Sequence, residues 1–357
     1  MSRVKLYLLL FLVFISVSAY GWSRHNLITR VILSKASWLE NYTDIPVTKY
    51  SYSDDSINPE FVIYYILPDK MKEKFPADGD FFDYYMDDGS FYGYKGKEIG
   101  EKTSAFEILC DYSDEPDWDM DKNMYHSFNQ KFMGGPQGFR HMYYPFGSFK
   151  AANLIFAQGD TPNRVEFYFE KSREAFSNGD LYWGFRFLAR CIHYLEDVSN
   201  PYHTKQTSSK FIHWNDPVAS TTTVTANYHA VWEVYFANAL TYEFTGKASN
   251  HPMMIYLTRG EIEKVKDPKT LTKKTARRSC ALAKKCFNSS IEFFGKEYDV
   301  LEDRFMDEQE FEELYYAKGE KEIQQKEIHK LCAEAYIIAS GTVLSFLEYA
   351  RKEFNLE

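Results

Sequence analysis

Apolar residues recur at helical spacing along most of this chain, and this pattern restricts it to a helical architecture. The alternation of apolar and polar residues that marks strands is scarce. We therefore expect an all-α fold, formed by one multi-helix domain over residues 22–357. The predicted helices cover residues 25–39, Ser148–Gln158, Arg164–Phe176, Leu181–Val198, Asn227–Leu240, Ser279–Phe294 and Lys321–Phe354.

The N-terminal third departs from this pattern. Residues 41–121 are rich in Asp, Tyr, Gly and Pro, which favour turns over regular elements. We expect long loops there, interrupted by one helix around Glu60–Lys74.

The first residues read as an export signal. In "MSRVKLYLLLFLVFISVSAYG", a charged start with Arg3 and Lys5 precedes a short apolar run, and Ala19 and Gly21 form a cleavage pattern. Residues 1–21 are predicted to be removed, which leaves Trp22 as the first residue. The mature protein is expected to be secreted or periplasmic.

Charge and cysteine content exclude some alternatives. The formal net charge of −9 argues against a non-specific electrostatic grip on nucleic acid or on an anionic membrane. A local positive site, such as a bound metal, is still compatible with phosphate binding. The odd count of five cysteines indicates no disulfide framework.

The stretch "HYLEDVSNPYH" carries the first chemical signal. His193 and Asp197 are four residues apart and therefore share one face of a helix. Asn200 and Pro201 are predicted to end that helix, because the residue before a proline avoids the α conformation. Past this break, His203 can turn back toward the same face.

A second pair follows in "NYHAVWEVYF", where His229 and Glu233 are again four residues apart. Imidazole and carboxylate groups are ligands of Zn²⁺, and two helix faces that carry them suit a site with several metal ions. Either pair alone is more often a surface pair. The apolar residues beside both pairs indicate that these faces are buried, where a metal would be a natural partner.

These residues resemble a known family. The pattern H-x3-D-x5-H at His193, Asp197 and His203, followed by H-x3-E at His229 and Glu233, is similar to the bacterial zinc-dependent phospholipase C family. That family is related to the fungal zinc single-strand nucleases and 3′-nucleotidases. The resemblance implies a helical protein with three zinc ions in a cleft and an N-terminal tryptophan whose amine and carbonyl bind one zinc.

The same resemblance implies the other ligands. Trp22 matches the N-terminal tryptophan, and His25 matches a histidine early in the first helix. Asp117 in "EPDWD" and His141 in "RHMYYP" match two turn motifs, with a separation wider than the family usually shows. His126 is an alternative to His141, and His213 is an alternative to His203. The implied zinc ligands are Asp117, His141, His193 and Asp197 for the first ion, His203, His229 and Glu233 for the second, and Trp22 with His25 for the third, with Asp197 bridging to the first.

By this resemblance the chain is expected to be a secreted zinc-dependent phosphodiesterase, most similar to a phospholipase C that cleaves phospholipids with a metal-activated water. Asp117 is the candidate base for that water, and an equal alternative is that it acts only as a ligand. Phospholipid is the expected substrate, with transient contact to a membrane surface, and the protein is expected to be a monomer.

Four features bear on the choice between the two branches. Glu233 is typical of the phospholipase branch, and Trp118 stands where an aromatic residue helps to hold choline. The short spacing from Trp22 to His25 and the long one from His203 to His229 are nuclease-like, so single-stranded nucleic acid is the alternative substrate. A secreted metal-binding protein without catalytic turnover is a further alternative.

Overall fold

The computed structural model describes residues 24–52, 97, 99–118, 137–145, 157–247 and 252–357. Four of the expected features lie outside these residues: the signal segment, Trp22, the helix around Glu60–Lys74, and His126. Most of the helix predicted at Ser148–Gln158 also lies outside them. Its last residue, Gln158, is described and forms an antiparallel bridge with Tyr144, so the predicted helix does not extend to that residue.

The described residues are mostly helical, which confirms the all-α prediction. Two short strands, β1 (Ile45–Pro46) and β2 (Lys102–Thr103), pair antiparallel. Short 3-10 turns lie at Ser37–Asn41, Glu115–Trp118 and Pro201–His203. The helices are α1 (His25–Leu33), α2 (Ala105–Asp111), α3 (Gln137–His141), α4 (Thr161–Ser177), α5 (Leu181–Asp197), α6 (Pro217–Ala219), α7 (Thr225–Phe244), α8 (Pro268–Phe294), α9 (Glu308–Tyr315) and α10 (Glu320–Glu353).

Helix α5 lies at the centre of the described structure. Asp180 caps its start by accepting a hydrogen bond from the backbone N–H of Trp183 at 3.2 Å. From Tyr182 to Asp197 every residue is buried, because α4 covers one side of the helix and α2 and α10 pack on others. A helix that is enclosed on all sides holds its side chains in fixed positions, which suits a binding site.

Helices α8 and α10 pack against each other behind this layer. Asp267 caps α8 through a 2.7 Å hydrogen bond from Thr270 N, and Pro268 occupies its first turn, as is common at helix starts. Among the described residues, α10 alone is long and apolar enough to cross a membrane by those two criteria. Its most apolar window is 72% buried within the protein, as in a core helix.

Three helix boundaries differ clearly from the prediction. Helix α8 begins at Pro268, whereas the prediction placed its start at Ser279. The segment 25–39 forms α1 only as far as Leu33, because the N–H groups of Lys35 and Ala36 bond to carbonyls three residues back and close the last turn. The helix predicted from Asn227 begins earlier. The chain is already helical at α6 and continues through a π-helical segment, Ser220–Val224, into α7.

The five cysteines, Cys110, Cys191, Cys280, Cys286 and Cys332, are all free thiols. Four of them, Cys110, Cys191, Cys286 and Cys332, are buried.

Candidate metal centre

The last turns of α5 carry the first pair of site residues. Nε2 of His193 lies 3.2 Å from Oδ2 of Asp197, as their spacing of four residues predicts. The other ring nitrogen of His193, Nδ1, donates a hydrogen bond to the backbone carbonyl of Ser113 at 2.7 Å. This contact fixes the ring, because it leaves Nε2 facing the carboxylate.

His141 ends α3 and contacts the same pair. Its Nδ1 lies 3.0 Å from Oδ2 of Asp197 and 2.9 Å from Nε2 of His193. His141, His193 and Asp197 are each buried, and their facing atoms form one of three groups with the composition and spacing to hold a metal ion.

The second oxygen of Asp197 faces a different histidine. Oδ1 of Asp197 lies 3.5 Å from Nε2 of His25, the first residue of α1. The rings of His25 and His193 are in contact, with centroids 4.0 Å apart. One carboxylate therefore lies between two sets of imidazoles, which is the position of a bridging ligand.

Asp117 lies in the 3-10 turn Glu115–Trp118 and also spans two sets. Its Oδ1 is 3.5 Å from Nδ1 of His141 and 3.7 Å from Nε2 of His193, and its Oδ2 is 3.8 Å from Nε2 of His25. His25, Asp117 and His193 form a second candidate metal group. The side chain of Asp117 is 16% exposed, whereas the histidines around it are fully buried.

The third group comes from the 3-10 turn after α5 and from α7. Oε1 of Glu233 lies 2.7 Å from Nε2 of His229 and 3.2 Å from Nε2 of His203. Nδ1 of His203 donates to the backbone carbonyl of His141 at 2.9 Å, which ties this group to the first. Asn200 connects the 3-10 turn to Glu233. Its side chain accepts a hydrogen bond from Tyr202 N at 3.1 Å and donates one to Oε1 of Glu233 at 2.7 Å.

A buried ion network holds the turn that carries Asp117. Glu115 accepts hydrogen bonds from Nε of Arg186 at 2.9 Å and from Nε of Arg190 at 2.8 Å. The guanidinium of Arg186 also stacks over the ring of Tyr112, 3.9 Å from its centroid. Because both arginines belong to α5, the turn is fixed to the helix that carries His193.

Burial and mutual charge shift the pKa values of the side chains around Asp197. Burial, followed by the charge of His193, lowers the pKa of His25 to about 3. Burial alone would lower the pKa of His193, but the carboxylates of Asp197 and Asp117 raise that pKa to about 9. Burial would raise the pKa of Asp197, yet the charges of His193 and His203 hold it well below its usual range. The buried groups thus depend on each other's charge.

The pKa values of two other carboxylates, Glu233 and Glu196, are raised, whereas that of Asp197 is lowered. Burial, followed by the charge of Asp197, raises the pKa of Glu233 well above its usual range. Burial also raises the pKa of Glu196, although the hydroxyl of Thr29 opposes the shift. Burial lowers the pKa of His229. A bound dication would favour ionised carboxylates and neutral imidazoles throughout, which is the state that metal ligands require.

Several buried atoms of these side chains are available to bind a metal ion. Among the described residues, Nε2 of His25, Oδ1 of Asp197 and Oε2 of Glu233 are buried and have no hydrogen-bond partner. An unsatisfied buried polar atom costs free energy, and here such atoms belong to the very side chains that converge. The three groups of His, Asp and Glu side chains are thus able to hold metal ions.

Most of the expected site residues converge, and two of them are not described. The residues that lie together are His25, Asp117, His141, His193, Asp197, His203, His229 and Glu233. Trp22 and the side chain of Trp118 lie outside the described part of the chain. The alternative ligand His213 lies apart from the three groups, where its Nε2 pairs with Oδ1 of Asp299 at 2.6 Å.

Four contributors were missed by the sequence analysis: Ser113, Glu115, Glu196 and Asn200. Ser113 acts through its backbone carbonyl, which leaves no trace in the sequence. The two glutamates carried a weak signal, because Glu115 stands beside the "PDW" turn and Glu196 stands beside Asp197 on a helix that is otherwise apolar around them.

No protein-family model matches the chain, and no curated protein matches it.

Proposed function

We propose that the protein is an exported zinc-dependent phosphoric ester hydrolase of the phospholipase C type. The observation that carries this proposal is the convergence of three candidate metal-binding groups near one carboxylate, Asp197, which lies beside His25, His193 and His203. Sites in which side chains hold several cations, and these cations bind the phosphoryl group and neutralise its charge, are typical of phosphoester hydrolysis.

The donor set suits zinc, because it combines imidazole with carboxylate. The resemblance described above supplies an assignment that the contacts support, with Asp197 at the boundary of two groups. The residues that would hold the ions are His141, His193, Asp197 and Asp117 for the first, His203, His229 and Glu233 for the second, and His25 with the amine and carbonyl of Trp22 for the third.

When bound, zinc supplies a Lewis acid for the phosphoryl oxygens and lowers the pKa of a bound water to about 7. The chain's own contribution is position. Asp117 is the most exposed side chain of its group, so we expect substrate and water to approach from its side. Its carboxylate is the candidate to take the proton of an attacking water, and the alternative is that it acts only as a ligand. The enclosed α5 holds His193 and Asp197 fixed.

Phospholipid is the substrate that we favour. Glu233 occupies the position where the resembled phospholipases carry Glu, and Trp118 follows Asp117 directly in the sequence. The aromatic face of a tryptophan attracts quaternary ammonium groups. Single-stranded nucleic acid is the second candidate, which the spacing between His203 and His229 favours.

One comparison tests the proposal and separates the two substrates. The mature protein is incubated with phosphatidylcholine vesicles or with single-stranded DNA, each with chelator, and again after zinc is restored. Release of phosphocholine that chelator abolishes and zinc restores supports the phospholipase. Release of nucleotides alone supports the nuclease, and tight zinc binding without cleavage of either substrate overturns the hydrolase proposal.

A further inference from the structure

Glu196 makes two buried contacts to one helix. Its Oε2 lies 2.6 Å from Nδ1 of His25, and its Oε1 accepts a hydrogen bond from the hydroxyl of Thr29 at 2.8 Å. All three side chains are buried. His25 and Thr29 are four residues apart on α1, so two side chains on the same helix face contact one carboxylate from α5.

We propose that Glu196 is a positioning residue for His25, which aims Nε2 of that imidazole into the metal centre and makes it a better metal ligand. Because the Thr29 hydroxyl occupies Oε1, Oε2 remains to accept the Nδ1–H of His25. The ring then presents the lone pair of Nε2 toward Asp117 and Asp197, at 3.8 and 3.5 Å.

The chemistry of the contact explains the benefit. A carboxylate that accepts the distal N–H of a metal-bound imidazole fixes the tautomer and the ring orientation, and it increases the basicity of the ligand nitrogen. Loss of such a partner typically lowers metal affinity by ~10–100-fold. His25 is the first residue of α1, where the backbone N–H groups have no partner within the helix, so a side-chain contact contributes more to fixing its position.

This inference rests on the proposed metal centre, and its test is a zinc-binding measurement without substrate. Metal-free protein with its mature N-terminus is titrated with zinc by calorimetry. We expect Glu196→Gln to weaken the binding of one zinc ion by ~10–100-fold, with the other ions bound as in the wild type. Thr29→Val, which frees Oε1 but keeps the side chain of Glu196, is expected to weaken the same ion by a smaller factor.

Thr275→Val is the matched control. The hydroxyl of Thr275 is buried in a 2.9 Å hydrogen bond with Thr342, in the packing of α8 against α10. Its removal costs a buried hydroxyl contact of the same kind, and the zinc titration is expected to remain that of the wild type. A loss of zinc in this control equal to that in Thr29→Val would show a general structural effect and overturn the inference.

Proton NMR of the zinc-loaded protein gives a second readout. In the wild type the Nδ1–H of His25 is expected as a downfield resonance protected from exchange, because it is buried in a short hydrogen bond to a carboxylate. In Glu196→Gln that resonance is expected to move upfield. If Glu196→Gln fails to fold, the same resonance is measured in Thr29→Val, which retains Glu196. Unchanged zinc affinity in both variants overturns the inference alone, whereas a wild type that binds no zinc overturns the proposed function with it.

Discussion

Nε2 of His193 lies 2.9 Å from Nδ1 of His141, so two imidazole nitrogens from different segments face each other inside the protein. Because Nδ1 of His193 donates to Ser113, the neutral ring presents a lone pair at Nε2. The carboxylate of Asp197 contacts both nitrogens. A proton or a metal cation reconciles this arrangement, and the following predictions depend on the metal.

Zinc is expected to stabilise the chelator-treated protein. A ligand that binds only the native state contributes about 4 kcal/mol when its free concentration is ~1,000 times Kd. Scanning calorimetry should therefore show a higher Tm with zinc than without it. Magnesium serves as the control, because it prefers octahedral oxygen ligands and should leave the Tm unchanged. Equal transitions with zinc and with chelator would contradict the metal centre.

Asp197→Asn is expected to remove more than one zinc ion, because the two oxygens of Asp197 face different groups. The loss of affinity should exceed the ~10–100-fold typical of an outer-shell partner. Zinc per chain is measured by elemental analysis after dialysis. Asp180→Asn is the matched control, since Asp180 caps the other end of α5 and should keep full zinc content. Equal zinc in both variants would exclude the bridging role.

The N-terminus is expected to matter for one ion. A variant that retains one residue ahead of Trp22 has its first amine displaced from His25, the residue that begins α1. We expect it to bind one zinc fewer and to lose most hydrolytic activity. Protein mass and N-terminal sequencing establish the first residue, and elemental analysis gives the zinc content. Full zinc content and turnover in the extended protein would remove Trp22 from the site.

Glu115→Gln tests the network that holds the turn of Asp117. Removing one partner of a buried ion pair costs about 3–5 kcal/mol, because the remaining charges lose their counterion. Here the remaining charges would be Arg186 and Arg190. The free energy of unfolding is measured by urea denaturation, and zinc affinity is expected to fall with it.

Glu263→Gln is the matched control for that change. Glu263 also lies between two cations, Lys274 and Arg278, but its side chain is 22% exposed. An exposed pair contributes about 0–1 kcal/mol, so this variant should unfold close to the wild type. Similar losses in the two variants would show that burial does not distinguish the two networks.

The local part of the site could be predicted from the sequence. Residues four apart on a helix share a face whatever the rest of the fold does, and this placed His193 beside Asp197 and His229 beside Glu233. The proline after α5 likewise predicted the break that brings His203 back. The contacts between separate segments needed the fold, as in the case of Glu196 and His25, which are 171 residues apart.

The helix boundary before α7 shows a second reason for failure. The segment "PVASTTTV" is rich in β-branched residues, which have weak helix propensity, and the predicted helix began only after it, at Asn227. In the structure this segment is helical, and Asp216 caps it by accepting a hydrogen bond from Ala219 N at 3.1 Å. Thr221 bonds back to the carbonyl of Pro217 at 2.6 Å. Capping and packing outweigh propensity here.

The attachment of Asp117 to α5 through Glu115 has a consequence for protein engineering. A graft of the His193 and Asp197 pair into another protein would need the turn at Glu115–Trp118 as well, since Arg186 and Arg190 of α5 hold that turn through Glu115. Any scaffold that receives it must also leave α5 enclosed on every side.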